Sequence, residues 1–122
     1  SVTDADSDEV LEVCPLTPAI DVIFGKWTAT IVWALAQHDE MRFTELLRRL
    51  PGLSPKVLTQ RLRQLVRDGL VTRTYHDESP PRVEYALTPL GRSLMPVFDA
   101  IQEWSEEHLD KVDEARAHFD KD

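Results

Sequence analysis

Apolar residues recur at helical spacing in five stretches of this chain and at strand spacing in one pair of short segments. The best punctuated stretch is residues 54–70, SPKVLTQRLRQLVRDGL. Leu58, Leu62, Leu65 and Val66 fall on one helical face there. Ser54 is placed to cap the helix. Pro55 stands at the first helical position, where its missing N–H costs nothing. Gly69 supplies the left-handed residue that ends the helix. Upstream, Thr17-Pro18 reads as a cap and start for a short helix over Ala19–Phe24 that ends at Gly25. Trp27–Gln37 is apolar over most of its surface and is expected to be central. Met41-Arg42 suits a brief strand. A helix then starts at Phe43, or with Thr44 as its cap, and carries Phe43, Leu46, Leu47 and Leu50 at core spacing until Pro51-Gly52 ends it.

After Gly69 the period changes. Residues 70–75 (LVTRTY) are β-branched and aromatic, residues 76–81 (HDESPP) form a turn, and residues 82–87 (RVEYAL) alternate apolar and polar. Two helices joined by a tight Gly-containing turn and followed by a hairpin predict a mainly α fold with a small β wing, a winged helix-turn-helix. Thr88-Pro89 starts a last helix with Leu90, Leu94, Val97, Phe98, Ile101 and Trp104 on one stripe. Pro96, inside that stripe, is expected to kink the helix or restart it. Three segments are expected: an acidic arm without fixed structure (residues 1–13), the winged domain with dimerisation helices (14–110), and a charged tail (111–122), fraying beyond Leu109.

Charge sharpens this outline. The net charge is −8, which at face value disfavours nucleic acid, but it is unevenly spread. The net is −7 over residues 1–40, +5 over 41–82 and −6 over 83–122. A basic middle between acidic ends is a local footprint for phosphate. Within it, the 54–70 helix turns Lys56, Thr59, Gln60, Arg63 and Arg67 away from its apolar side, with Arg61 at the edge and no acid before Asp68. These side-chain types suit base edges in the DNA major groove. The plain alternative is a solvated basic face.

The residues also resemble a known family, the HxlR-type transcriptional regulators. The likeness rests on Cys14-Pro15, Gly25-Lys26-Trp27, Arg42-Phe43 with Glu45-Leu46, the run from Leu53 to Leu62, Asp68-Gly69-Leu70-Val71, Pro80 to Tyr85, Leu87-Thr88 and Gly91. It spans Cys14 to about Trp104. Phe24 departs from it, standing where the family usually has a small residue. The resemblance implies a homodimer on a near-palindromic double-stranded DNA operator, usually a repressor. It further implies that a cysteine at the position of Cys14 senses electrophiles or oxidants in some relatives.

Candidate residues follow from the two readings together. Ser54, Lys56, Thr59, Gln60, Arg63 and Arg67 are assigned to the groove and its phosphates. Arg48 and Arg49 lie on the first helix of the motif, which crosses the backbone in such folds. Arg73 and Arg82 flank the hairpin; Arg82 reaches DNA or pairs with Asp77 or Glu78. Ile20, Ile23, Phe24, Leu94, Phe98, Ile101 and Trp104 either seam a dimer or close the core of one chain. Cys14 lies near a helix start, whose dipole favours a thiolate. Glu9 and Glu12 oppose that, and free cysteine is also often a small buried hydrophobe. A cleft between Trp27, Trp33 and the last helix is a candidate seat for a small effector.

Other classes are disfavoured. His38, His76, His108 and His118 are scattered and share no metal spacing with Cys14, so no metal or cofactor is expected. No nucleophile motif or phosphate loop marks an enzyme. No run approaches a membrane span, and a single cysteine fits a reducing cytoplasm. The competing class is a winged-helix adaptor that binds protein rather than DNA.

Overall fold

The computed structural model describes residues 14–25 and 27–121, so the arm expected over residues 1–13 lies outside the described residues. The elements run α1 (Thr17–Ile23), α2 (Thr28–Ala36), β1 (Met41–Arg42), α3 (Phe43–Arg49), α4 (Pro55–Arg67), β2 (Val71–His76), β3 (Arg82–Leu87), α5 (Pro89–Arg92) and α6 (Met95–Lys121). The strands form one antiparallel sheet in the order β1-β3-β2. Met41 pairs with Tyr85 and Arg42 with Glu84. Val71 pairs with Leu87, and the ladder runs out to His76 opposite Arg82. Helices α3 and α4 are the helix-turn-helix pair, and β2-β3 is the wing.

The core lies between α2, α3, α4 and the inner face of the sheet. Ile31, Val32 and Leu35 of α2 meet Leu46 of α3, Leu58, Leu62 and Leu65 of α4, and Met41, Val71, Tyr85 and Leu87 of the strands. Their alternation on the strands and their 3–4 residue spacing on the helices put all of them on one side of each element. Helix α3 starts where Glu45 Oε1 accepts from the Arg42 backbone N–H at 2.8 Å, so Arg42, not Thr44, is the N-cap residue.

The N-terminal helices depart from the expected pattern. Thr17 is inside α1 rather than capping it, with Leu16 at the N-cap in a helical conformation and no side-chain cap. The reason is local: Thr17 N–H donates to the Cys14 carbonyl at 3.0 Å, which winds residues 14–17 into a turn continuous with the helix. Trp27 does not belong to α2 but precedes it in the left-handed region, at φ 74°. That conformation costs a bulky residue roughly 1–2 kcal/mol, and the Trp27 ring offsets it by packing against the core. Trp33, expected to be central, is 55% exposed because α2 turns it toward α6.

Pro96 marks a restart, not a kink. Helix α5 ends at Arg92, and α6 begins at Met95 with Pro96 in its first turn, where no earlier carbonyl requires its N–H. The tail expected to fray is helical through Lys121. After Pro96 the helix contains neither Gly nor Pro, and its Glu and Ala residues favour the conformation intrinsically. Its 27 residues extend ~40 Å at 1.5 Å per residue, and none of them is buried.

One junction sets where the wing and the C-terminal helices leave the core. Gly69 (φ 79°) follows the α4 C-cap, Asp68. Gly69 N–H donates to Val66 O and Leu70 N–H to Leu65 O, both at 3.0 Å, which is the paired bonding of a Schellman motif. The Leu70 carbonyl accepts from Thr88 N–H at 3.0 Å, while Thr88 Oγ1 donates to Gly69 O at 2.7 Å and accepts from Gly91 N–H at 3.0 Å. Gly91 then packs so closely that a Cβ would lie 2.3 Å from Leu70 O. Gly91→Ala is therefore expected to destabilise the fold by about 1–3 kcal/mol through overpacking, seen as a lower urea midpoint at unchanged slope.

Candidate nucleic-acid interface

Helix α4 sorts its side chains by angle. Leu58, Leu62 and Leu65 are at most 2% exposed. Val66 is rotated about 80° from Leu58 and is 37% exposed at the edge of the core face. On the far side, Lys56, Gln60, Arg63 and Arg67 lie within about 60° of one another, all exposed. The helix is fixed at both ends: Ser54 Oγ accepts from Val57 N–H at 3.2 Å, and the glycine junction closes the other end. Arg61 is half-buried on the opposite flank beside Asp21, Thr28, Gln64 and Asp68, so it does not share the basic face.

Thr59 has a narrower chemistry than its residue type suggests. Its hydroxyl donates to the Pro55 carbonyl at 2.9 Å, within the helix. The methyl is the part of the exposed side chain left for contact, which suits a thymine methyl better than a hydrogen-bonding edge. Gln64 is likewise engaged, donating to Asp68 Oδ1 at 3.1 Å, whereas Gln60 makes no such bond among the described residues.

The wing meets α4 along a cleft of about 520 Å³ lined by Thr59, Leu62, Arg63, Val66, Arg67, Arg73 and Tyr85. Three cations, Arg63, Arg67 and Arg73, thus converge from two consecutive elements, α4 and β2. Among the described residues none of them has a carboxylate within ion-pair distance. Arg82 behaves differently. Its Nη1 pairs with Glu78 Oε1 and its Nε approaches Glu84 Oε1 at 3.4 Å, so the guanidinium is folded back onto the hairpin. Of the two readings open for Arg82, the structure shows the pairing with Glu78, with Glu84 as a further partner.

Arg48 and Arg49 are exposed at the C-terminal end of α3 and line a separate depression of about 150 Å³ with His38, Glu40 and Glu45. They do not join the α4 cleft. Cys14 is exposed, ahead of α1. The hydrophobic candidates divide. Leu94 and Phe98 pack partly against the core, and Ile23 is buried. Ile20, Phe24, Ile101 and Trp104 are 39–53% exposed. Phe24, Trp33, Met95, Phe98 and Ile101 line a groove of about 460 Å³ between α2 and α6; Trp27, expected there, is not on its wall. No single helix among the described residues is long and apolar enough to cross a membrane.

A helix-turn-helix whose second helix presents an acid-free basic face beside a two-stranded wing defines the winged helix-turn-helix class. Comparison with known proteins narrows the class. Residues 22–113 match the model of the HxlR-like helix-turn-helix family, and the chain belongs to that family. It is 37% identical over 114 residues to the HTH-type transcriptional regulator YdeP of Bacillus subtilis, covering 93% of this chain and 88% of that protein. An HTH-type regulator of Methanothermobacter thermautotrophicus is 41% identical over 101 residues, covering 83% and 75% respectively. Among solved structures, the redox regulator HypR in its reduced form superposes with a TM-score of 0.76 at 36% identity, over 83% of this chain and 99% of HypR. The reduced transcriptional regulator YodB of B. subtilis does so with a TM-score of 0.72 at 31% identity, over 80% and 95%.

Proposed function

We propose that this chain is a sequence-specific, DNA-binding transcriptional regulator that acts as a homodimer, represses from a near-palindromic operator and works in the cytoplasm. The observation that carries the reading is the convergence of Arg63, Arg67 and Arg73, free of carboxylates among the described residues, on a chain whose net charge is −8. Lys56, Gln60 and Arg63 address base edges, Thr59 offers a methyl, and Arg67 and Arg73 hold phosphates across the cleft. Arg48 and Arg49 are assigned to backbone phosphates at the flank. The reading gives the chain no catalytic role.

Dimerisation is supported by α6. A 27-residue helix with no buried residue still carries Val97, Ile101, Trp104 and Leu109 at 38–53% exposure. With Ile20 and Phe24 they form an apolar surface that a second copy of the chain covers in an isologous pairing. That pairing sets two α4 helices about one DNA turn apart, ~34–36 Å. The α2–α6 groove is the seat available to a small effector at this seam.

Control through Cys14 is a second element of the proposal, favoured by the exposure of the thiol and by the likeness to the redox regulator HypR and to YodB, solved in reduced and diamide-treated forms. With one cysteine per chain, oxidation joins two chains or adds a small thiol, the oxidant taking the two electrons.

Selection of duplexes from fragmented genomic DNA on the reduced protein at ~150 mM salt tests the reading, since phosphate binding alone depends steeply on salt. Enrichment of one inverted repeat with half-sites a turn apart is expected; enrichment of nothing would leave the protein-binding adaptor. On the selected duplex, Arg63→Ala is expected to cost roughly 1–3 kcal/mol and relax sequence preference, whereas equal losses on random DNA would mark a phosphate contact. Trp104→Glu is expected to shift the sedimenting species from dimer to monomer with the helical circular dichroism retained. Diamide is expected to release the wild type from the duplex and to leave Cys14→Ser bound.

A further inference from the structure

The outer face of the wing sheet holds a group of donors that the DNA reading does not use. His76 ends β2, Glu84 lies in the middle of β3 and Glu40 directly precedes β1. The pairings of His76 with Arg82 and of Thr74 and Arg42 with Glu84 place His76 diagonally across from Glu84 on the face opposite Tyr85 and Met41. One ligand atom from each of Glu40, His76 and Glu84 lies within 4.8 Å of the others. His76 Nε2 is shielded from solvent and has no hydrogen-bond partner of acceptable geometry, although Glu84 Oε1 stands 2.6 Å away. The nitrogen is therefore directed among carboxylates without the alignment of an N–H···O bond.

We propose that Glu40, His76 and Glu84 form a site for a divalent transition-metal ion of the zinc type. Imidazole nitrogen and carboxylate oxygen are both zinc ligands, and three such donors leave a fourth position for water. The imidazole disfavours calcium and magnesium, which take oxygen donors. Zn–N and Zn–O bonds of about 2.0–2.2 Å in tetrahedral array need donors about 3.3–3.5 Å apart. A small rotation of the His76 or Glu84 side chain opens the 2.6 Å approach between them to that spacing. The cation that competes is Arg82, whose Nε is 3.4 Å from Glu84 Oε1. Its Nη1 is already held by Glu78, so an ion on Glu84 displaces the longer of two bonds and leaves the other. The ion also offsets two carboxylate charges that otherwise face each other across the strands. Because the ligands come from the segment before β1 and from both wing strands, the bound metal ties the wing to the body of the domain.

Zinc titration of the full-length chain in the Cys14→Ser background, against a chromophoric chelator, tests the site. The background removes the other strong zinc ligand. One zinc per chain is expected, with a raised Tm. Glu40→Gln and His76→Ala are each expected to weaken binding by more than the ~10–100-fold that loss of an outer-shell partner costs. They are also expected to abolish the zinc-dependent rise in Tm, while His108→Ala and His118→Ala bind as the parent does. Glu40 is exposed, so Glu40→Gln reports on the metal even if His76→Ala disturbs the hairpin. Absence of stoichiometric zinc, or undiminished binding by Glu40→Gln, overturns the proposal.

Discussion

The structure depends on the contact between two backbones at Leu70 and Gly91. There the recognition helix has just ended, the wing begins, and the last strand has turned into α5. The Leu70 carbonyl accepts from Thr88, and the bare Cα of Gly91 lies against it where a methyl would fall 2.3 Å from oxygen. Thr88 ties the same point from the other side through Gly69 and Gly91. Moving this junction would rotate the wing about α4 and re-aim α6 together. The relative placement of Arg63 and Arg73, on either side of the junction, is therefore a property of backbone packing, not of the arginines. A site built on rigid elements keeps its geometry without a ligand to organise it.

Charge operates here by neighbourhood rather than by sum. Arg82 and Arg73 sit on adjacent strands, yet one is held by Glu78 and Glu84 while the other faces a cleft shared with Arg63 and Arg67. A phosphate entering that cleft meets three guanidinium groups over short distances. The acids of α6 do not line that cleft. An acidic protein can thus be a DNA-binding regulator with most of its surface repelling the duplex, which favours one docking orientation over others.

Much of this was legible in the sequence because it was written locally. Ser54-Pro55, Gly69 and Thr88-Pro89 are short-range signals, and the structure places each in the role its chemistry suggests. The helical periods, the strand alternation and the acid-free face of α4 likewise need only neighbours within a few turns. Misreadings arose where a neighbour outside that range decided. Thr17 is the exception, drawn into α1 by the Cys14 carbonyl only three residues away. Trp33 counted as core until the direction of α6 was known. The Glu40, His76 and Glu84 group could not be seen at all, since 36 residues separate Glu40 from His76 and only the strand register joins them. The length of α6 was underestimated because its apolar stripe, read as far as Trp104, gives way to a mostly charged run beyond Leu109.

Helix α6 has a consequence for the life of the protein. A chain whose longest helix has no fully buried side chain leaves apolar surface uncovered as a single copy. On the proposed dimer, its free energy of unfolding includes the association step and so rises with the logarithm of its own concentration. Newly made copies at low abundance spend more time open to proteases than copies already paired. The regulator's turnover is then coupled to its level: a falling pool is cleared faster than a full one, and the switch it controls loses its regulator more abruptly than dilution by growth would allow.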